Sequence, residues 1–138
     1  MKQAAILIVD DNPEIREIIQ ILLTGEGFQV HEAANGTQAL SQLKENIFDL
    51  IILDIMMPGL NGYQTCVEMR KLTNAPILFL SARTKESDKT LGFSSGGDDY
   101  LAKPFSYNEL ISRSKALIRR YQVYKGKNES GNQSINSA

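Results

Sequence analysis

The chain has one cysteine, one histidine, a net charge of only −1 and no long apolar run. Each scarcity removes a class of function. A lone Cys66 permits no internal disulfide and is expected as a buried structural thiol. A lone His31 cannot build a zinc site and is expected to be structural or on the surface. Near-neutral charge gives no general pull toward nucleic acid, which needs clustered Lys and Arg. The apolar runs are too short to cross a bilayer. The opening "MKQAAILIVDD" reaches two acids after six apolar or small residues, without the apolar core and cleavage site of a secretory signal, so a cytoplasmic location and no membrane partner are expected. No glycine-rich phosphate loop follows the first apolar run, where "DDNPE" would repel a nucleotide phosphate.

What is present fits one globular domain: 138 residues, 42% apolar and 22% charged. "AAILIVD" is short, β-branched and barely alternating, as in a strand buried on both faces of a parallel sheet, and "FQVHEA", "DLIILD", "APILFLS" and "DDYLA" repeat the theme. Between them run helical spacings: Ile15, Ile18, Ile19 and Leu22; Ala39, Leu40 and Leu43; Leu110, Ile111, Leu117, Ile118 and Tyr121. Asn12-Pro13 reads as an N-cap and first helical residue, with Gly25 and Gly27 ending that helix. Five β-α repeats with right-handed crossovers imply an open parallel sheet with helices on both faces, without fixing strand order. The fourth helix, residues 86–95, has few apolar anchors and contains Gly92, so it is expected to be among the less stable elements. After Tyr121, "QVYKGKNESGNQSINSA" has linker composition, which places a domain boundary there.

Ligands of such sheets bind at the carboxyl ends of the strands. Those ends carry Asp10 and Asp11, then Asp54, Ser81 and Lys103. Each alone could be an ordinary strand-ending or capping residue. Together, three converging acids repel one another and need a compensating cation, which Lys103 and a divalent ion supply. Carboxylate oxygens without His or Cys suit Mg2+, with Mn2+ as a substitute. Carboxylate nucleophile, hydroxyl, ammonium and Mg2+ together describe phosphoryl transfer onto Asp54.

The stretches "ILIVDDNPEIR", "DLIILDIMMPGLNGY", "PILFLSA" and "GGDDYLAKPFSYNEL" resemble the receiver domain of bacterial two-component response regulators, over Ile6 to about Arg120. The resemblance implies a flavodoxin-like (CheY-like) α/β fold: an open five-stranded parallel sheet in the order 2-1-3-4-5, with five helices on its two faces. Residues 1–121 would be the receiver and 122–138 a flexible linker or disordered tail leading to an effector domain absent from this chain. Asp54 would accept a phosphoryl group from a sensor histidine kinase. Asp11 and Asp54 would bind Mg2+ directly, Asp10 mainly through water and Met56 through its backbone carbonyl. Lys103 would pair with the phosphoryl group and Ser81 donate its hydroxyl to it. Lys103-Pro104 matches a step that is usually cis in the family, Pro58 and Gly59 supply the turn after the acceptor, and Gly62 helps open the next helix.

The resemblance extends to output. Ser81 moving toward the phosphate would leave space for Tyr100, coupling the site to the face of helix four, strand five and helix five. In the OmpR/PhoB branch this face forms a two-fold dimer, with Lys89 meeting Glu109 and Asp99 meeting Arg113 across it. Ser94 stands where the branch often has an acid, which would leave Lys115 without its usual partner and weaken the dimer. Bulky Met56 and Arg83 would shield the phosphate, giving slow self-hydrolysis, so the chain would be a switch rather than an enzyme. DNA would be contacted only through another domain. Two other readings are a stand-alone receiver signalling by protein contact, and a phosphohydrolase of the haloacid dehalogenase type. The latter puts its nucleophile after the first strand in an Asp-x-Asp pattern, which "VDDN" lacks.

Overall fold

The computed structural model describes residues 3–82 and 94–136, with side chains through residue 126. The elements are β1 (Ala5–Val9), α1 (Pro13–Gly25), β2 (Gln29–Ala33), α2 (Gly36–Glu45), β3 (Leu50–Asp54), α3 (Gly62–Arg70), β4 (Ile77–Ser81), β5 (Asp99–Ala102) and a C-terminal helix, α4 (Tyr107–Asn136). The strands form one parallel sheet in the order β2-β1-β3-β4-β5, as the resemblance implied. Four helices are present among the described residues. Most of residues 86–95, with Arg83 and Lys89, lies outside them.

The three central strands are apolar on both faces because each face carries its own core. Leu7, Val9, Ile51, Leu53 and Phe79 pack with Ala39, Cys66 and Met69 under α2 and α3. Ile6, Ile8, Leu50, Ile52 and Leu78 pack with Ile19, Leu23, Leu110 and Leu117 under α1 and α4. Side chains of a strand alternate between faces, so near-continuous apolar runs supply both layers at once. His31 sets its ring edge-on to Phe48, centroids 5.3 Å apart. The Cys66 thiol lies 3.3 Å from the Ser95 carbonyl, and burial pushes it up to about 11.

Local chemistry sets the helix starts. The Asn12 side chain accepts the Glu14 N–H at 2.9 Å, with Pro13 in the first turn. Asn61 and Gln64 exchange side-chain and backbone bonds in a capping box at α3. Gly62 is needed there for space: a Cβ would lie 2.5 Å from Ile55 Cα and 2.6 Å from the Asp54 carbonyl oxygen. Gly59, at φ +76°, makes the turn between β3 and α3.

At the opposite edge of the sheet Arg70 ties α3 to two strands. Its guanidinium donates to the Gly96 and Ala75 carbonyls at 2.9 and 2.6 Å, and to Asp98 Oδ2 at 2.6 Å. The same Asp98 oxygen accepts the Ile77 N–H. The C-terminal helix does not stop at Tyr121, where apolar periodicity ends, but runs on to Asn136. No proline interrupts it, and Lys125 anchors the first added turn over the Tyr121 ring at 4.8 Å and toward Asp49 at 3.5 Å. Among the described residues, no helix is long and apolar enough to cross a membrane.

Candidate functional site

Parallel strands deliver their last residues to one edge. β1 ends at Val9 and passes into Asp10 and Asp11, β3 ends on Asp54, and β4 on Ser81. Just past β5, the Lys103 N–H extends the ladder to the Ser81 carbonyl at 2.9 Å, and Lys103-Pro104 is a cis peptide. All five polar residues singled out at this edge in the sequence therefore converge on it.

Oxygens of Asp10, Asp11 and Asp54 lie within 4.8 Å of one another. Asp10 and Asp54 are buried, and Asp11 is exposed. Lys103 Nζ stands 3.0 Å from Asp10 Oδ2 and 3.6 Å from Asp54 Oδ1. Asp54 Oδ1 also accepts the Met56 N–H at 3.2 Å. Burial above all, then the Asp10 charge and to a small extent Asp11, push the Asp54 carboxyl up to about 6, against the opposing pull of Lys103 and the Met56 N–H. A buried carboxylate flanked by two further acids has a standing electrostatic demand for a further cation. The donor set, hard oxygens without nitrogen or sulfur ligands, fits Mg2+ or Mn2+.

Tyr100 is buried on β5, paired with Phe79, while Ser81 pairs with Ala102. The two-residue alternation puts Ser81 and Tyr100 on the same sheet face, with Tyr100 already inside the core. Met56 is 52% exposed beside the acids, while Met57 next to it is buried.

Of the expected dimer face, Asp99, Glu109 and Arg113 pair within the chain, and Lys89 lies outside the described residues. Arg113 Nη1 lies 2.8 Å from Asp99 Oδ1, and Nη2 lies 3.1 Å from Glu109 Oε1, one helical turn earlier. Lys115, whose usual partner position holds Ser94, pairs its ammonium within the chain with Glu26, the residue that caps α1. The long side chain reaches across to the neighbouring helix instead.

Sequence reasoning missed Arg16. From the first turns of α1, its Nη1 donates to the Asp10 carbonyl at 2.6 Å and its Nε pairs with Glu32 Oε1 of β2 at 3.2 Å. Its only sequence signal is a lone arginine shortly after the acids, which an ordinary solvated helix face would also show.

The description "response regulator receiver domain" fits residues 6–115. The chain is 49% identical over 124 residues to the transcriptional regulatory protein YrkP of Bacillus subtilis, covering 90% of this chain and 53% of that one. It is 48% identical over 115 residues to a CpxR homolog, a transcriptional regulatory protein of Haemophilus influenzae, covering 83% and 50%. The chain thus spans about half the length of these relatives. Among solved structures, it is similar to response regulator TrrA of Thermotoga maritima in complex with Mg2+ and BeF (TM-score 0.76, 36% identity, 83% of this chain and 99% of that one). A second is a response regulator from Chloroflexus aurantiacus (TM-score 0.81, 40% identity, 86% and 99%). With the sheet order, the acidic edge and these likenesses in agreement, the chain belongs to the response regulator receiver domain family of two-component systems.

Proposed function

We propose that this chain is a phosphorylation switch in which Asp54 accepts a phosphoryl group from a phosphohistidine of a sensor histidine kinase. The observation that carries the proposal is the buried Asp54 carboxylate, clustered with Asp10 and Asp11 and 3.6 Å from the Lys103 ammonium. An Asp54 oxygen forms the new P–O bond as the P–N bond to the histidine breaks, leaving neutral imidazole after protonation and a mixed anhydride on Asp54. Asp11 and Asp54 would hold Mg2+ directly, Asp10 mainly through water and Met56 through its backbone carbonyl. Bound there, the ion neutralises phosphoryl charge. Lys103 shifts its ion pair toward the new phosphoryl oxygens, and the Ser81 hydroxyl donates to one of them. TrrA, a relative solved with Mg2+ and BeF, supports such a site.

The test is Mg2+-dependent labelling by acetyl phosphate. One phosphoryl group per chain is expected, none on Asp54→Asn, and the label should decay over minutes to hours after the donor is removed, with bulky Met56 and Arg83 as the proposed shields. Label on Asp54→Asn at wild-type stoichiometry would refute the assignment, and decay within seconds would refute the shielding.

Phosphorylation adds nearly two negative charges. The Ser81 and Tyr100 side chains transmit them to the face of β5 and the C-terminal helix, where Asp99, Glu109 and Arg113, together with Lys89 of the preceding segment, are proposed to serve a two-fold dimer of the OmpR/PhoB type. Arg113 already has two partners in its own chain, so dimerisation exchanges ion pairs rather than adding them, and the net electrostatic gain is small. A weak, phosphorylation-favoured dimer is the expected result in sedimentation with beryllofluoride; a monomer at all concentrations would contradict it. Output is proposed to be transcription regulation in the cytoplasm, with DNA contacted through an effector domain beyond the shared half of the relatives and residues 122–138 as the connector.

A further inference from the structure

We infer that Arg16 is a positioning residue for the metal-binding acids, tying the peptide unit between Asp10 and Asp11 to β2 and so aiming the Asp11 carboxylate. The inference rests on the proposed Mg2+ role of these acids.

Asp10 is anchored on every side. Its N–H donates to the Ala33 carbonyl at 3.2 Å, continuing the sheet. Its carboxylate accepts the Asn12 N–H at 2.9 Å and the Lys103 ammonium at 3.0 Å. Its carbonyl accepts from Arg16 at 2.6 Å. That last bond bears on the next residue. A peptide unit is planar, so holding the Asp10 carbonyl oxygen holds the plane that ends at the Asp11 Cα, and the direction of the Asp11 Cα–Cβ bond then turns only on the Asp11 φ angle. Asp11 is exposed, so no core packing around its side chain aims it. Neighbouring backbone constraints do so instead: the Arg16 bond on one side, and the Asn12 N–H held by Asp10 on the other.

Arg16 is itself fixed. Its side chain is 17% exposed, it springs from a helix that Asn12 caps, and Glu32 of β2 holds the second arm of the guanidinium. The planar fork of arginine suits this bridge: one nitrogen reaches the carbonyl while another meets the carboxylate, whereas a lysine offers a single ammonium. The Arg16–Glu32 pair is too exposed to matter much for global stability. Its value lies in orientation, as with the outer partners of metal ligands, whose loss weakens metal affinity about ten- to hundredfold.

The experiment is calorimetric titration of Mg2+ alone into the full chain, at a temperature where circular dichroism shows every variant folded. Arg16→Ala is expected to weaken Mg2+ binding about tenfold or more. Acetyl phosphate labelling should need correspondingly more Mg2+ but reach nearly the wild-type plateau, since a bound ion itself orders Asp11. Glu32→Gln, which loosens Arg16 without removing it, should shift affinity in the same direction by less, and it serves if Arg16→Ala does not fold. Arg70→Ala, which cuts more bonds at the far edge of the sheet than Arg16→Ala does at this one, should lower stability and leave Mg2+ affinity unchanged. Wild-type Mg2+ affinity in both Arg16→Ala and Glu32→Gln, or a lowered plateau without a shift in Mg2+ dependence, overturns the positioning role alone. No Mg2+ binding by the wild-type chain would instead overturn the reading of the site on which it rests.

Discussion

Asp54→Asn is expected to stabilise the metal-free protein at neutral pH, by up to about 3 kcal/mol, although it removes the group on which the proposed function depends. The reason is the raised Asp54 pKa of about 6, against an ordinary 3.8. A carboxyl harder to ionise in the fold than in the unfolded chain penalises folding wherever both states are ionised. That penalty is complete above about 6, falls as the folded state takes up its proton, and vanishes below 3.8. Asparagine has the same shape, carries no charge, and can still accept from the Met56 N–H. The stability advantage of the variant should therefore be largest at neutral pH and close as the pH is lowered toward 4. Adding Mg2+ should also narrow it, because the ion stabilises the wild-type fold by mass action and binds the variant less well. Urea unfolding over pH, with and without Mg2+, measures all three effects. An Asp54→Asn protein less stable than wild type at every pH would show that the buried charge is compensated within the fold.

Lys103→Met is expected to do the opposite, destabilising the metal-free protein by about 3–5 kcal/mol at neutral pH. The ammonium serves two buried carboxylates, 3.0 Å from Asp10 and 3.6 Å from Asp54, and the Asp10 side chain is 1% exposed. Methionine keeps the bulk but leaves both anions without their cation. Removing one partner of a buried pair costs more than the pair was worth, since the remaining charge stays desolvated. The loss should shrink at low pH, where the Asp54 carboxyl, already pushed up to about 6, takes up its proton, and with Mg2+, which restores positive charge. The double variant Lys103→Met, Asp54→Asn should lose less than Lys103→Met alone, because one uncompensated charge has gone. A loss equal at all pH values, unmoved by Mg2+ and additive with Asp54→Asn would mean that Lys103 matters for packing only.

The parts of the fold that were legible were those written in local pattern. "AILIV", "LIILD" and "ILFLS" read as doubly buried strands because both faces of each are covered, and no alternation is left to mislead. Asn12-Pro13 read as a helix start because capping is chemistry within a few residues. The acids, Ser81 and Lys103 read as one site because a parallel sheet sends every strand end to the same edge. Strand order came only with the family resemblance, since alternation does not say which strand lies beside which. Contacts made by long side chains were illegible for a related reason. Arg16 on the Asp10 carbonyl, Arg70 on the segments leading into β4 and β5, and Lys115 on Glu26 depend on helix placement and reach, which no spacing encodes. The helical backbone past Tyr121 was also missed, because glycine and polar residues lower helix propensity without forbidding it.

The central claim is that Asp54, and not a neighbouring acid, carries the phosphoryl group, and borohydride trapping tests it most directly. Borohydride reduces an acyl phosphate, but not a free carboxylate, to the alcohol, so a phosphorylated aspartate becomes homoserine. After acetyl phosphate and Mg2+ treatment, peptide mass spectrometry should find homoserine at position 54 and intact aspartate at positions 10 and 11. Homoserine at Asp10 or Asp11, or none anywhere in a chain that has demonstrably bound Mg2+, would contradict the account.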